Sequence, residues 1–253
     1  MDSGRMSDRA PGAAVMAQVV RLHDAAPPRS PLARALGVTP LADETVPWFV
    51  GALGEREIGA RLAHLPGGWR VFHALPVGNG DADLDHLVVG PGGVFVVNTK
   101  HHRGARVWVA DRALLVNGAK TAYLRNADLE TSRVRGLLTA AGIEAPVRAV
   151  VAILGAKELR VRAHPRAVDV VRGEALARWL MRRPAVLDAD TVEAVTRLVD
   201  APGTWRAADP RTDVADRFAV IEREVRSARF VRVGWAIAAG LGLLAVALPF
   251  LPH

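Results

Sequence analysis

The sequence predicts an α/β protein, a mixed sheet flanked by helices, followed by a C-terminal transmembrane helix. Three observations lead there. Helix-period and strand-length apolar segments follow one another from Asp43 to Val199 in the order helix, strand meander, helix, strands and helices, which is the order of a mixed sheet with helical crossovers. Pro91-Gly92-Gly93 and Asn117-Gly118 stand between strand-like runs, where tight hairpin turns are needed. Val233 to Leu251 carries no charged side chain. As a helix at 1.5 Å per residue it would extend about 28 Å, close to the roughly 30 Å hydrocarbon core of a bilayer.

Taken in order, residues 1–40 hold Pro11, Pro27, Pro28, Pro31 and Pro40 with no sustained apolar period, and are expected to form a disordered arm. Met16 to Val20 is their one apolar cluster, too short for the apolar region of an export signal. The folded part, residues 41–210, begins with a helix over Asp43–Leu65, where Trp48, Ala52, Ile58, Leu62 and Leu65 recur at helical spacing before the stop at Pro66-Gly67-Gly68. Strands are predicted at Trp69–Leu75, Leu84–Val89, Val94–Thr99, Arg106–Val109 and Leu114–Val116, read together as an antiparallel meander. Asn126–Ala141 reads as a helix with Leu129, Val134, Leu137 and Leu138 as its apolar stripe. Val147–Leu154 and Val168–Val171 are continuous apolar runs of strand length, the pattern of buried strands added after a crossover. Helices are predicted at Gly173–Arg182 and Asp190–Val199. Trp108 and Trp179, at apolar spacing, are expected in the core.

The segment 211–232 is expected to be a basic juxtamembrane helix, with Arg217, Arg223, Arg226, Arg229 and Arg232 set against Glu222 and Glu224. Basic flanks stay on the cytoplasmic side. Residues 233–251 therefore read as a single-pass tail anchor that holds the domain at the cytoplasmic face of the cell membrane.

Composition narrows the chemistry. Half of the 253 residues are apolar and 23% are charged, which excludes a wholly disordered chain and a polytopic membrane protein. There is no cysteine, so a disulfide scaffold, a thiolate metal site and a cysteine nucleophile are all excluded. The net charge of +7 favours a polyanionic partner, either nucleic acid or an anionic membrane surface. Among 33 basic residues the lysines are Lys100, Lys120 and Lys157. A lysine kept in so arginine-rich a chain marks a place where a compact ammonium is needed. No phosphate-binding glycine loop, dinucleotide fingerprint or serine elbow is present, so no small-molecule cofactor is implied.

The candidate chemistry lies on one predicted hairpin. Asp81, Asp83 and Asp85 alternate and would project to one face of a strand. The next strand ends in Asn98-Thr99-Lys100, where Asn98 and Lys100 share a face. Carboxylates on one strand with an amide and an ammonium on the other can converge on a metal and an activated water, although Asp81 and Asp83 also suit a polar strand entry. His86, His101 and His102 offer a second possibility, a transition-metal site, to which adjacent histidines on an extended chain can contribute only one of the two. Arg103, Arg106, Arg125 and Arg133, with His101, could line a phosphate track beside this edge.

Gly54-Glu55-Arg56-Glu57, Trp69-Arg70-Val71, the run from Leu84 through Asp85-His86 and Gly90-Pro91-Gly92-Gly93 to Phe95, and Asn98-Thr99-Lys100 together resemble the nuclease-related domain (NERD) family over roughly residues 50–160. That family is similar to the PD-(D/E)XK nuclease superfamily, so the resemblance implies a restriction-endonuclease-like mixed sheet. It also implies divalent-metal-dependent phosphodiester hydrolysis with Mg²⁺ or Mn²⁺ and a nucleic-acid partner, with DNA ahead of RNA. By the same resemblance Glu55 is the helix acid, Asp85 the metal-binding strand aspartate and Lys100 the lysine that orients or activates water. Asn98 stands at the acid position of the (D/E)-x-K element, an amide where the pattern has a carboxylate. An amide oxygen can ligate Mg²⁺ but brings no charge, so the resemblance leaves two outcomes: a weakened metal centre with Asp85, Asn98, Glu55 and Asp83 as ligands, or a nuclease fold that has kept binding and lost catalysis.

Overall fold

The computed structural model describes residues 5–77, 83–205 and 213–247, with side chains through Leu244. Asp81 lies outside the described residues. The chain divides into two compact units, one formed by residues 1–14 and 50–210 and the other by 15–49 and 211–253. The elements in chain order are α1 (Ala13–Ala25), α2 (Pro31–Ala35), α3 (Val46–Leu62), β1 (Arg70–Pro76), β2 (Asp83–Gly90), β3 (Gly93–His101), β4 (Arg106–Ala110), β5 (Ala113–Val116), β6 (Ala119–Thr121), α4 (Tyr123–Ala140), β7 (Val147–Leu154), β8 (Glu158–Val161), β9 (Val168–Arg172), α5 (Leu176–Met181), α6 (Ala189–Asp200) and α7 (Val214–Ala247).

In the first unit a five-stranded sheet has the order β1-β2-β3-β7-β9. The first three strands are antiparallel, and β7 and β9 are added parallel to β3, as a helical crossover through α4 demands. Two apolar layers cover the sheet. Val94 and Val96 join Val134 and Leu138 of α4 on one side, while Phe95 and Val97 join Ile58 and Leu62 of α3 on the other. Each such side chain contributes about 1.5–3 kcal/mol on full burial, so both faces of the central strand are fixed.

The meander ends sooner than its sequence suggests. After β3 the chain leaves the first sheet, and β4 and β5 enter a second sheet of order β6-β5-β4-β8. Its hairpin turns at Asn117 and Gly118, with φ of 49° and 86°, the left-handed pair that an Asn-Gly turn supplies. This sheet packs Val107, Val109 and Leu114 against Ala149, Val151 and Ile153 of β7. Its other face is open, so Trp108 is 43% exposed and not a core residue. Trp179, by contrast, packs against the core, its ring edge-on to Phe95.

The expected disordered arm is largely helical. In the second unit α1 buries Met16, Val19 and Val20, and Phe49 stacks on Phe218 of α7 with ring centroids 5.4 Å apart. Ion pairs Arg217–Asp24 and Arg29–Glu224 tie the same segments together. Local composition hid this, because α1 is tied to chain far away, Asp24 pairing with Arg217, 193 positions on. The basic stretch and the apolar stretch form one helix, and α7 is, among the described residues, the helix long and apolar enough to cross a membrane. From Phe230 to Leu244 its large apolar side chains are exposed.

Candidate active site

The Pro91-Gly92 turn sets the geometry. Gly90 faces Gly93 and His86 faces Val97, so the next cross-strand position sets Asp85 beside Asn98. Residues two apart on a strand share a face, and Asp85, Asn98 and Lys100 therefore project from the same side of the sheet. The Thr99 N–H donates to an Asp85 carboxylate oxygen at 2.6 Å, a charge-assisted bond that fixes the carboxylate. Burial raises the Asp85 pKa, while the Lys100 charge and the Thr99 bond hold it down.

Across from Asp85, Ala74 of β1 has φ of 48°, a left-handed conformation that costs a non-glycine residue on the order of 1 kcal/mol. Its carbonyl accepts a 2.7 Å bond from Arg9 Nε, which offsets part of that strain. The same guanidinium lies 3.8 Å from Asp83 at the start of β2.

Glu55 comes from α3. It shares the buried stripe of Ile58 and Leu62, three and seven residues on, so a carboxylate points inward from an otherwise apolar face. Gly54 makes the approach possible, since a Cβ there would lie 3.2 Å from His101 Cβ and 3.4 Å from Thr99 Cγ2. The Glu55 carboxyl is pushed well above the carboxylate range, by burial first and then by the Asp85 charge. Lys100 opposes this and Asp83 adds a smaller push.

One participant escaped the sequence reading. Glu130 of α4 accepts hydrogen bonds from Asn98 Nδ2 at 3.0 and 3.2 Å. The inward stripe of α4 is Ala127, Thr131, Val134 and Leu138, and Glu130 lies on that phase, whereas the expected stripe residue Leu129 is exposed. An acid four residues before Val134 was the available signal. Burial raises the Glu130 pKa and the Asn98 bond lowers it. Asp85 adds to the rise, and Lys100 and Arg133 to the fall. The structure thus sets Glu55, Asp85 and Glu130 within electrostatic reach of Lys100.

The three histidines do not converge. His86 is buried with its Nδ1 2.8 Å from Nδ1 of His73, and His102 stacks on Tyr123, centroids 5.6 Å apart. His101 is held between Gly54 and Gly155, where a Cβ on Gly155 would come within 3.0 Å of the imidazole. That packing leaves His101 half-buried. Arg103, Arg106 and Arg125 are exposed, at the turn after β3, on the open face of β4 and in the first turn of α4.

The donor set suits a hard cation. Asn98 Oδ1 is buried with no hydrogen-bond partner, and the three acids carry raised pKa values that a divalent ion would relieve. Among the described residues, however, no three His, Cys, Asp or Glu side chains are gathered closely enough to hold a metal by themselves. The Asp85 and Glu130 carboxylates are instead occupied by Thr99 N–H and Asn98 Nδ2.

A mixed sheet flanked by helices, with acids and a lysine at neighbouring strand ends, defines an α/β domain of nuclease-like fold. Residues 50–154 match the family model of the nuclease-related domain. The matched stretch runs from the second turn of α3 to the end of β7 and contains Glu55, Asp85, Asn98, Lys100 and Glu130. No curated protein and no solved structure matches the chain.

Proposed function

We propose that the domain within residues 41–210 hydrolyses phosphodiester bonds of nucleic acid, DNA ahead of RNA, at the cytoplasmic face of the cell membrane, tethered by the basic stretch 211–232 and the single span 233–251. The observation that carries this reading is the Asn98–Glu130 contact. The carboxylate missing from the (D/E)-x-K position of the PD-(D/E)XK pattern is supplied from α4, hydrogen-bonded to the residue that stands in its place.

A Mg²⁺ or Mn²⁺ ion held by Asp85, Asn98 Oδ1 and Glu130, with Glu55 and Asp83 on its flank, would polarise the scissile phosphate and lower the pKa of an attacking water. The chain's own residues do the rest. Thr99 N–H holds Asp85 in one orientation. Asn98 keeps Glu130 turned toward the strand ends. Lys100, 5.3 Å from the Tyr123 ring centroid, is steadied there and presents its ammonium to charge that develops on phosphate oxygen. Arg103, Arg106 and Arg125 offer exposed charge for the flanking phosphates.

The uncharged Asn98 and the absence of a ready ligand cluster among the described residues favour a second reading, a nuclease fold that binds nucleic acid or protein without cleaving. A cleavage assay on DNA and RNA with Mg²⁺ and with Mn²⁺ separates the two. Hydrolysis abolished by Asp85→Ala and reduced at least tenfold by Glu130→Gln supports the first. Tight binding without cleavage in either metal supports the second.

A further inference from the structure

Apart from Arg106, which borders both, the second sheet presents a surface that the candidate active site does not use. Its buried face is taken up by Val107, Val109 and Leu114, and on the open face Trp108 stands 43% exposed. A single exposed aromatic needs no explanation, but this one is embedded in an ordered row. Register sets Lys120 opposite Leu115, Leu115 opposite Trp108 and Trp108 opposite Arg160, so one line crosses all four strands with cations at both ends and an indole between them. Arg106 lies two residues before Trp108 on the same face. The guanidinium carbons of Arg160 and Arg162 are 5.8 and 5.3 Å from the indole centroid. Glu158, which pairs with Arg160, is the one carboxylate among the strand residues of this face.

We propose that this face binds single-stranded nucleic acid, with an unpaired base stacked on Trp108 and the neighbouring phosphates on Arg106, Arg162 and Lys120. Stacking on an aromatic ring requires a free base face, which a duplex keeps inside its own stack, and it tolerates any base because every base has one. The cations around the ring track the backbone. The net charge of +7 and the ring of cations around the indole favour a polyanionic occupant. β4 starts five residues after β3 ends, so this face and Lys100 are carried by neighbouring stretches of chain. The proposal rests on the nucleic-acid reading above for its class of ligand, but not on hydrolysis.

The test is anisotropy of a labelled 20-mer of oligothymidylate, and of a duplex of equal length, with the full-length protein in detergent and EDTA at several salt concentrations. Trp108→Ala is expected to weaken oligothymidylate binding roughly tenfold or more while Trp108→Phe keeps most of it. Arg162→Ala should reduce the slope of log affinity on log salt by about one. The duplex should bind more weakly and be indifferent to Trp108. Asp85→Ala separates the two sites: the dependence of oligothymidylate binding on Trp108 should persist in the Asp85→Ala background. Binding that depends on Trp108 without any cleavage in Mn²⁺ upholds this surface and removes the hydrolytic reading. Cleavage with no effect of Trp108→Ala on binding, in a variant that melts like the parent, overturns this surface alone. Equal, Trp108-dependent binding of duplex, or no binding of oligothymidylate by the parent protein, also overturns it and leaves the face to a protein partner.

Discussion

Exchanging one oxygen for nitrogen at the Asn98–Glu130 contact tests the site most directly. Asn98→Asp keeps the shape of the side chain and replaces two N–H···O bonds of 3.0 and 3.2 Å with two facing carboxylates. At an effective dielectric constant near 20, like charges about 3 Å apart repel by roughly 5 kcal/mol. Taking up a proton is less costly: even an unperturbed glutamate carboxyl is held neutral at pH 7 for roughly 3–4 kcal/mol, and burial, which raises the Glu130 pKa, brings the cost below that. Protonation therefore wins, and the cost of the substitution is capped near that figure at pH 7 and fades toward pH 5. The compensating change, Asn98→Asp with Glu130→Gln, returns the donor to the other side of the contact and should bring stability to within about 1 kcal/mol of the parent.

Thermal melts of the four proteins in EDTA measure this, and a loss of about 3 kcal/mol corresponds to roughly 6–12 °C for a chain of this size. Adding Mn²⁺ should restore much of the loss in Asn98→Asp, because ligand charge tunes the affinity of hard cations. A double variant no more stable than the sum of its parts predicts would show that Asn98 and Glu130 do not interact, and the assignment of Glu130 to the site would fall with them.

Three further outcomes are expected. Lys100→Arg should cut turnover at least tenfold while leaving Mn²⁺ binding by titration calorimetry nearly unchanged, since a planar guanidinium does not replace a compact ammonium at one oxygen; loss of both would assign Lys100 to holding the acids together. Burial lowers the His73 pKa from 6.5 to about 4, so the folded state binds fewer protons than the unfolded one and stability is complete above pH 6.5 and lost as pH falls toward 4. That loss amounts to about 3 kcal/mol by linkage, and urea melts of His73→Phe should show a flatter profile than the parent between pH 7 and 5; parallel profiles refute it. The full-length protein should stay with membranes through alkaline carbonate extraction, whereas a chain ending at Arg232 should be soluble, because it keeps Phe218, Ile221 and Ala228, which are buried, and drops the exposed apolar run. A soluble full-length protein would refute the anchor.

What could be read in the sequence depended on how far each constraint reaches along the chain. The hairpin was legible because a two-residue turn fixes register for every pair behind it: once Pro91-Gly92 is the turn, Asp85 must face Asn98, and the alternation of a strand carries Lys100 to the same side. Glu55 was read from the family resemblance, and the structure adds why it fits, since it is in phase with the buried Ile58 and Leu62. Trp108 was misjudged because apolar alternation shows that a strand has two unlike faces and not which of them is covered. The cover of the second sheet comes from β7, which is distant in sequence. Helix α1 was missed for a like reason, since its Asp24 pairs with Arg217, far along the chain.

Glu130 shows why a motif is a weaker guide than the cleft it describes. The physical requirement at such a site is a number of carboxylate oxygens near a lysine, and a strand end next to a helix face can be supplied from either. Here the strand contributes an amide whose N–H bonds orient the helix carboxylate and whose Oδ1 remains without a partner. On the proposed reading the charge of the site is kept while its covalent origin moves from β3 to α4. An acid at position 98 facing Glu130 would add a repelling charge that only a bound cation or a proton could neutralise. On that reading the amide at 98 and the acid at 130 act as one unit. Reading Asn98 alone as a lost carboxylate undercounts the site by the group it holds in place.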